Sequence, residues 1–155
     1  MIQRIQTLYL LLAAAMFFAL FFLPIAVIQS GDTLYSFQID GLQTTTSPSE
    51  LIYPAWALLA LAAIIVLLSL FIIFMYKKRV LQIRMCVYNT LLMIGFCVLT
   101  GLYFWIFSDS PRIPDMKIHL RLWAAFPIIA IIFNYLAIRN IGADEALVRS
   151  LERLR

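Results

Sequence analysis

Side chains capable of catalysis or metal binding are few and widely spaced in this sequence. Asp109 and Asp115 lie six positions apart, and a pair of carboxylates is what a hydrolase of the aspartyl type needs to activate water. His119 is the single histidine, which excludes haem ligation by two histidines of one chain. Cys86 and Cys97 are separated by about 16 Å if they share one helix, which is beyond the reach of a disulfide. The sequence contains no nucleophile triad, metal-ligand cluster or glycine-rich phosphate loop, so we expect no cofactor.

Polar residues inside the apolar runs form a second set of candidates. Asn89 and Asn134 each lie five residues from an arginine, Arg84 and Arg139 respectively, and therefore at similar depths in their runs. Polar side chains join helices in a bilayer through interhelical hydrogen bonds. We predict such contacts for Asn89, Asn134 and Thr100, with a direct hydrogen bond between the two asparagines. A polar cleft at this pair would suit a carrier.

The composition favours a hydrocarbon environment for most of the chain. Of the 155 residues, 64% are hydrophobic and 13% are charged. Soluble domains contain about 45–50% apolar and about 25% charged residues, and a soluble fold of this length leaves much of its surface exposed. The formal charge of +4 is accounted for by basic residues that flank membrane spans. We therefore expect membrane lipids as partners and no nucleic acid.

Four apolar runs are long enough to cross a bilayer, which takes about 20 residues. They predict an all-α integral membrane protein, an antiparallel four-helix transmembrane bundle in a single domain. The predicted spans are 5–28, 53–76, 85–107 and 120–138. The predicted connections are external loops over 29–52 and 108–119, a cytoplasmic loop over 77–84 and a cytoplasmic tail over 139–155. The first run exceeds the 7–15 apolar residues typical of a signal peptide, so we expect a permanent helix.

The distribution of lysine and arginine predicts the orientation of these spans. With both termini in the cytoplasm, nine basic residues lie on the cytoplasmic side and three on the other side. This asymmetry follows the positive-inside rule, so we expect a multi-pass protein with both termini cytoplasmic. The nine residues are Arg4, Lys77, Lys78, Arg79, Arg84, Arg139, Arg149, Arg153 and Arg155, and the three are Arg112, Lys117 and Arg121.

The first external loop carries the pattern of a small β-hairpin. Residues 34–39 alternate so that Tyr35, Phe37 and Ile39 share one face, and Asp40-Gly41 suits a hairpin turn. A two-stranded hairpin is marginally stable alone, so it must lie on the helix ends, on lipid or on a partner. Tyr35 and Phe37 are therefore candidate docking residues.

The last residues predict a short amphipathic helix on the cytoplasmic surface. Asp144 is placed to cap it, and leucines recur at helical spacing up to the end of the chain. Its basic residues are candidates for docking on a partner or on lipid, and a frayed tail is the alternative. These candidates are Arg149, Arg153 and Arg155.

The two ends of the chain resemble a known family. The opening residues, Met1-Ile2-Gln3-Arg4-Ile5-Gln6-Thr7-Leu8-Tyr9-Leu10-Leu11-Leu12-Ala13, look like the start of an uncharacterised family of four-span inner-membrane proteins from Bacteroidota. The residues Asp144-Glu145-Ala146-Leu147-Val148-Arg149-Ser150, followed by Arg153-Leu154-Arg155, resemble the ending of that family. The resemblance implies a bacterial inner membrane and carries no established activity.

Three classes of function remain open from the sequence. The leading hypothesis is a non-enzymatic subunit or scaffold of an inner-membrane complex, bound to other inner-membrane proteins or to itself. The alternative is a small carrier or lipid-handling protein with a polar cleft near Asn89 and Asn134. The third is an intramembrane enzyme similar to the lipoprotein signal peptidases, but Asp109 and Asp115 lack the surrounding asparagine pattern of those enzymes. A carrier needs a hydrated cavity, a scaffold a filled core, and an enzyme converging carboxylates.

Overall fold

A computed structural model describes residues 2–31, 33–45, 50–75, 78–111, 113 and 116–153, with the backbone alone for residues 2–4 and 149–153. Within these ranges the chain forms four α-helices, a short 3-10 helix and one antiparallel sheet. The helices are α1 (Ile2–Ala19), α2 (Trp56–Phe74), α3 (Arg79–Ser108) and α4 (Phe126–Arg153), and the 3-10 helix is Leu122–Ala125. The strands are β1 (Ala26–Ser30), β2 (Thr33–Gln38), β3 (Gly41–Thr44), β4 (Leu51–Pro54) and β5 (Lys117–Leu120).

The predicted all-α fold is wrong, because the two predicted external loops contribute to one sheet of five strands. The strand order is β4-β3-β2-β1-β5, and every neighbouring pair is antiparallel. The predicted hairpin is the β2-β3 part of this sheet, with its turn at Ile39 and Asp40, one residue earlier than expected. β5 comes from the loop predicted to be irregular and pairs with β1 across about ninety residues of sequence.

The first apolar run divides into a helix and a strand, so the predicted span over 5–28 is wrong. Pro24 lies between α1 and β1, and a proline cannot supply the amide that would continue a helix. The following Val27 and Ile28 are β-branched and suit a strand. Hydropathy alone does not separate these two outcomes in a short apolar stretch. Among the described residues, three helices are long and apolar enough to cross a membrane, and they cover Trp56–Phe74, Arg79–Ser108 and Leu122–Val148.

The predicted separate tail helix is also wrong. α4 continues without interruption to Arg153, so Asp144 lies inside a helix rather than at the start of one. No proline follows Pro127 in the chain, and each added helical residue gains one backbone hydrogen bond. The connection between α2 and α3 is also shorter than expected, because α3 begins at Arg79 instead of residue 85.

The four helices pack so that α1 and α3 each contact both α2 and α4. The sheet lies at the end where α1 and α3 finish and α2 and α4 begin, which we call the sheet end. The core there joins the inward face of the sheet to the helices, including Phe17, Phe37, Phe96 and Phe107. A smaller core lies at the opposite end and consists of Leu10, Ile72, Cys86, Ala137 and Ile141.

Strand alternation makes the sheet amphipathic. Along β1 and β2 the buried positions include Ala26, Ile28, Tyr35 and Phe37, and the register places Ala26 opposite Phe37 and Ile28 opposite Tyr35. The opposite face is mostly polar, with Gln29, Ser36, Gln38 and Gln43. The predicted division of residues 34–39 between two faces is confirmed by this burial pattern. The sheet therefore turns its apolar face to the helices.

Candidate functional site

The two aromatic residues predicted to dock a partner instead hold the sheet on the helices. Phe37 is fully buried, and its ring centroid lies 5.2 Å from that of Phe104 and 5.3 Å from that of Phe107. Tyr35 is 9% exposed, and its hydroxyl accepts a hydrogen bond from Thr33 at 3.1 Å. Neither ring is accessible to a partner, because the outward face of β2 is formed by the intervening residues.

A second contact fixes β4 to the end of α3. The hydroxyl oxygens of Tyr53 and Ser110 lie 2.6 Å apart, and the Tyr53 ring lies 5.5 Å from Phe107. The position of the sheet relative to the helices is therefore defined by both aromatic packing and a short hydrogen bond. A surface on this sheet is presented in a fixed orientation.

Asn89 and Asn134 are fully buried and bond to residues other than each other. The amide of Asn89 donates to the hydroxyl of Ser69 on α2 at 2.9 Å. The amide of Asn134 donates to the Cys86 carbonyl and to the Thr90 hydroxyl on α3, at 2.9 Å and 2.8 Å. The carboxamide oxygens of both asparagines have no hydrogen-bond partner. The predicted bond between the two asparagines is therefore wrong.

The neighbouring hydroxyls explain the orientation of both amides. Ser69 donates its proton to Ile65, four residues earlier in α2, and Thr90 donates to Cys86 in the same way in α3. A hydroxyl used like this offers only a lone pair to its neighbour. Each asparagine must therefore turn its NH2 group to the hydroxyl, which leaves its oxygen without a donor.

Thr100 follows the same pattern without joining two helices. Its hydroxyl donates to the Phe96 carbonyl at 2.8 Å, within α3. Around the asparagines the interior is filled, since Met93, Ala130 and Ala137 are fully buried. The polar layer links α2, α3 and α4, and its side chains are enclosed by packed neighbours.

The residues that we considered for catalysis form no catalytic centre within the part of the chain that the structure describes. Asp109 follows the last residue of α3 and is exposed, and Asp115 lies outside the described residues. His119 is exposed on β5. Among the residues that the structure describes, no group of three or more His, Cys, Asp or Glu side chains is placed to hold a metal ion.

The most exposed strand is β5, which sequence reasoning missed. It is the last strand of the sheet, and all four of its residues are exposed. The backbone N–H of Arg121 donates to the Ile25 carbonyl at 3.2 Å, and backbone groups alternate in direction along an antiparallel strand. The N–H and C=O groups of Ile118 and Leu120 therefore point away from β1, towards the open side of the sheet.

A signal for β5 is present in the sequence. Basic or polar residues alternate with apolar residues from Lys117 to Leu122, which is the pattern of a half-exposed strand. The prolines at 111 and 114 suggested an irregular loop, but both precede the strand. Pairing with β1, which is distant in the sequence, caused this segment to form a strand instead of an irregular loop.

The opposite edge of the sheet is closed to pairing. The Ala55 N–H donates to the Asp40 carbonyl at 2.8 Å, so the nitrogen of the preceding Pro54 points outward, where it has no proton to offer. The pairing of β3 with β4 also shifts register between Leu42 and Gln43. Natural sheets use prolines and irregularities of this kind to prevent edge pairing. β5 has no proline and no register shift.

The end opposite the sheet contains a polar set of contacts. Arg79 and Asp144 form a salt bridge at 3.2 Å between α3 and α4. Gln6 donates to the Asn140 carbonyl at 3.1 Å, and Gln82 donates to the Ile72 carbonyl at 3.2 Å. These bonds connect α1 with α4 and α2 with α3, so every helix is tied to a neighbour here.

A groove of about 420 Å³ opens beside these contacts. It is lined by Val80, Ile83, Arg84, Gly142, Glu145 and Ala146. Of the predicted basic docking residues, Arg149 and Arg153 continue α4 beyond this groove, and their side chains are not described. Arg155 lies outside the described residues.

Three apolar helices of spanning length, a shorter fourth helix and an amphipathic sheet at one end define an α+β chain whose helices are compatible with a membrane protein. Residues 2–154 match the family described as Domain of unknown function (DUF4293), and the chain belongs to that family. No curated protein matches it.

Proposed function

We propose that this chain is a non-enzymatic subunit or scaffold of an inner-membrane complex, and that its β5 edge binds a protein partner on the external side. The exposed edge of β5, which pairs with β1 alone among the residues that the structure describes, is the observation that carries this proposal. The resemblance of both chain ends to an inner-membrane family supports the location.

The proposed orientation is multi-pass with both termini in the cytoplasm. Lys78, Arg79, Arg84 and Arg139 lie at the end of the helices away from the sheet, and lysine and arginine are enriched on the cytoplasmic side of membrane proteins. In this proposed orientation the sheet lies on the external side. A sheet held by Phe37 and Tyr53 then stands at the membrane surface in a fixed orientation.

The chemistry of β5 indicates the kind of partner. An open edge with outward N–H and C=O groups pairs with an extended segment that adds one strand to the sheet. Lys117, His119 and Arg121 alternate along one face of this edge. Pairing of two copies would bring the cationic side chains of Lys117 and Arg121 together, which is unfavourable. We therefore expect an extended segment of another protein, with acidic residues at alternate positions.

The buried asparagines favour this scaffold over the carrier alternative. A carrier needs a hydrated passage beside its polar residues, whereas Asn89 and Asn134 are fully buried and lie among packed apolar residues.

The test combines cross-linking with edge variants. A photo-crosslinking residue in place of Ile118, in cells at natural expression, is expected to capture one partner through a segment with alternate acidic residues. Leu120→Pro removes an outward N–H and should abolish capture, whereas Leu120→Ala keeps the N–H and should retain it. Lys117→Glu with Arg121→Glu should weaken capture by about tenfold.

Two results would reject the proposal. If Leu120→Pro captures the partner as well as Leu120→Ala does, the edge is not the binding surface. If the purified chain carries lipid and no protein, the scaffold is rejected and the carrier is favoured. Unchanged thermal unfolding of both variants in detergent controls for damage to the fold.

A further inference from the structure

The inner face of the sheet extends beyond the helices at β5. The register places Ile118 opposite Ile28 and Leu120 opposite Ala26, and residues directly opposite in an antiparallel pair share one face of the sheet. Ala26 and Ile28 are fully buried, whereas Ile118 is 43% and Leu120 is 65% exposed. Within the part of the chain that the structure describes, the helices therefore cover this face under β1 and leave it open under β5.

The two faces of β5 differ in chemistry. Lys117, His119 and Arg121 alternate with the two apolar residues, so the polar side chains lie on the outer face of the sheet. Leu122 follows at the start of the 3-10 helix and is 78% exposed, which adds a third apolar side chain at the end of the strand. A contiguous apolar surface of this kind is typical of contact with lipid or with another protein.

Hydrogen bonds between helices define which residues lie at equal depth. Asn134 of α4 donates to Cys86 and Thr90 of α3. Asn89, which lies between those two residues in α3, donates to Ser69 of α2. These contacts place one polar layer at about the same level in α2, α3 and α4. Distances along each helix can therefore be counted from this layer.

Counted from the polar layer, Trp56 and Leu122 lie at the same level. Trp56 is thirteen residues from Ser69, which is about 20 Å along α2. Leu122 is twelve residues from Asn134, and because four residues form the 3-10 helix, this distance is also about 20 Å. Trp56 is 73% exposed, and tryptophan is enriched at the boundary between membrane and water. In the proposed membrane orientation, Trp56 and Leu122 therefore lie at the boundary of the bilayer near the sheet.

Two arginines at the other end indicate the second boundary. Arg84 and Arg139 are exposed and lie about 7 Å from the polar layer, on the side away from the sheet. The distance from these arginines to Trp56 is therefore about 27 Å, which agrees with a hydrocarbon core of about 30 Å. Since β5 continues directly towards Leu122, its apolar side chains lie at the external lipid boundary.

We propose that the segment bound at the β5 edge is an amphipathic strand of a membrane-anchored protein, lying at this lipid boundary. The inference rests on the proposed function and names the class of its partner. Side chains of an added strand share the faces of their neighbours in β5. Its apolar side chains therefore lie beside Ile118 and Leu120, towards lipid, and its acidic side chains lie beside Lys117 and Arg121, towards solvent.

Membrane anchoring follows from the position of the edge. A segment next to a transmembrane helix or a lipid anchor is already held at the depth of β5, and tethering raises its effective concentration. A segment of a soluble protein would first have to carry its alternate apolar side chains through water. A second copy of this chain would place Lys117 and Arg121 beside the same cationic residues, which is unfavourable.

Spin labels on neighbouring residues of β5 test the lipid contact. Cys86→Ala and Cys97→Ala first remove the native thiols, and Leu120→Cys or His119→Cys then provides one labelling site in protein reconstituted into liposomes. We expect the label at 120 to collide more often with dissolved oxygen than with a water-soluble nickel chelate, and the label at 119 to show the reverse. Leu34→Cys, on the outer face of β2, is the control and should behave like His119→Cys. A label at 120 that collides mainly with the chelate would overturn the proposal.

A designed peptide tests the class of partner. It alternates glutamate with leucine and valine, carries a photo-crosslinking residue at one apolar position and has a palmitoyl chain at its N-terminus. With the chain in nanodiscs, we expect capture at least about tenfold stronger than for the same peptide without the palmitoyl chain, or with serine at the remaining apolar positions. Leu120→Pro lacks the outward N–H and controls for peptide that enters the nanodisc without pairing.

Side-chain variants separate the apolar face from the backbone edge. Ile118→Ser with Leu120→Ser keeps every backbone N–H and should lower capture of the palmitoylated peptide by about tenfold or more, because the shared apolar face is lost. Leu34→Ser makes the same kind of change on the outer face of β2 and should leave capture unchanged. Full capture by the double variant, with thermal unfolding in detergent unchanged, would exclude the apolar face of β5 from binding.

The inference and the proposed function fail in different ways. If the unanchored peptide is captured at the β5 edge as well as the palmitoylated one, membrane anchoring of the partner is rejected and the proposed function stands. If Leu120→Pro captures as much peptide as the native chain does, pairing at the edge is rejected, and with it the proposed function.

Discussion

The two ends of this molecule are stabilised in different ways. At the sheet end, aromatic rings from β2, β4 and α3 pack together, with Phe37 fully buried among them. At the opposite end, the apolar core is small, and the helices are joined by hydrogen bonds from Gln6 and Gln82 and by the Arg79–Asp144 salt bridge. Packing against large rings positions a whole sheet, whereas single polar contacts set the register of helices that already lie side by side.

The difference has a consequence for stability. Removing a large buried ring leaves a cavity, and its cost grows with the volume lost. Removing one hydrogen bond between helices in a membrane protein costs about 0.6 kcal/mol on average. We therefore expect substitutions at the sheet end to have larger effects than those at the opposite end.

Phe37→Ala is expected to have the largest effect. It should lower the free energy of unfolding by about 3–5 kcal/mol, because the ring contacts Phe104 and Phe107 and is fully buried. Denaturant unfolding in detergent and limited proteolysis at residues 26–54 would measure it. Leu34→Ala on the opposite face of β2, where the side chain is 46% exposed, should cost much less. Equal losses would contradict the assigned packing.

Gly41→Ala is expected to rank second. Gly41 has a φ of 150°, and an added Cβ would collide with the Tyr53 carbonyl and lie 2.9 Å from a Leu51 methyl group. We expect a loss of about 2–3 kcal/mol and release of β4. Gly31→Ala is the matched control, since Gly31 also has a positive φ of 55° but has open space around it. Hydrogen exchange of the β3 and β4 amides would detect local opening, and protected amides in Gly41→Ala would argue against the collision.

Asn134→Leu tests the polar layer between the helices. It removes two donated hydrogen bonds to α3, so we expect a loss of about 1 kcal/mol. Asn89→Leu removes one bond to Ser69 and should cost about half as much. Both changes also eliminate a buried carboxamide oxygen without a partner, which limits the loss. Unfolding in mild detergent measures both losses of stability. A larger loss for Asn89→Leu than for Asn134→Leu would contradict the assigned hydrogen bonds.

The Arg79–Asp144 salt bridge is expected to have the smallest effect. The two side chains are 24% and 16% exposed, and pairs near the surface contribute about 0.2–1 kcal/mol. A double-mutant cycle with Arg79→Gln and Asp144→Asn should give a coupling in this range that falls with added salt. Coupling above about 2 kcal/mol would mean that this contact is more buried than the exposed fractions indicate.

Local patterns predicted several elements of the fold. Apolar runs of adequate length located α2 to within three residues at either end, whereas α3 begins six residues earlier than predicted and α4 continues to Arg153. The alternation of residues 34–39 identified the buried face of β2, which carries Tyr35 and Phe37. Asn89 and Asn134 are equally spaced from Arg84 and Arg139, which predicted that they lie at similar depths. Their hydrogen bonds to residues of α2 and α3 agree with this prediction.

Other features depended on contacts between distant residues. The hydropathy of Ala26–Ile28 does not distinguish a helix from a strand, and pairing with both β2 and β5 selected the strand. The partners of the asparagines depended on whether Ser69 and Thr90 had already donated their protons within their own helices. Tyr35 and Phe37 were predicted to dock a partner, because a local sequence pattern does not show that distant helix ends bury them.

The sequence by itself determined the helices that pack side by side, the polar residues inside them and the charge at each end, because these depend on composition and on spacing along one helix. Only the tertiary structure decided that the connections form one five-stranded sheet, that β5 is its open edge, and that Arg79 of α3 pairs with Asp144 of α4. Strand order and helix register arise from contacts between residues far apart in the chain, and a local pattern carries no information about which distant segment will supply the partner.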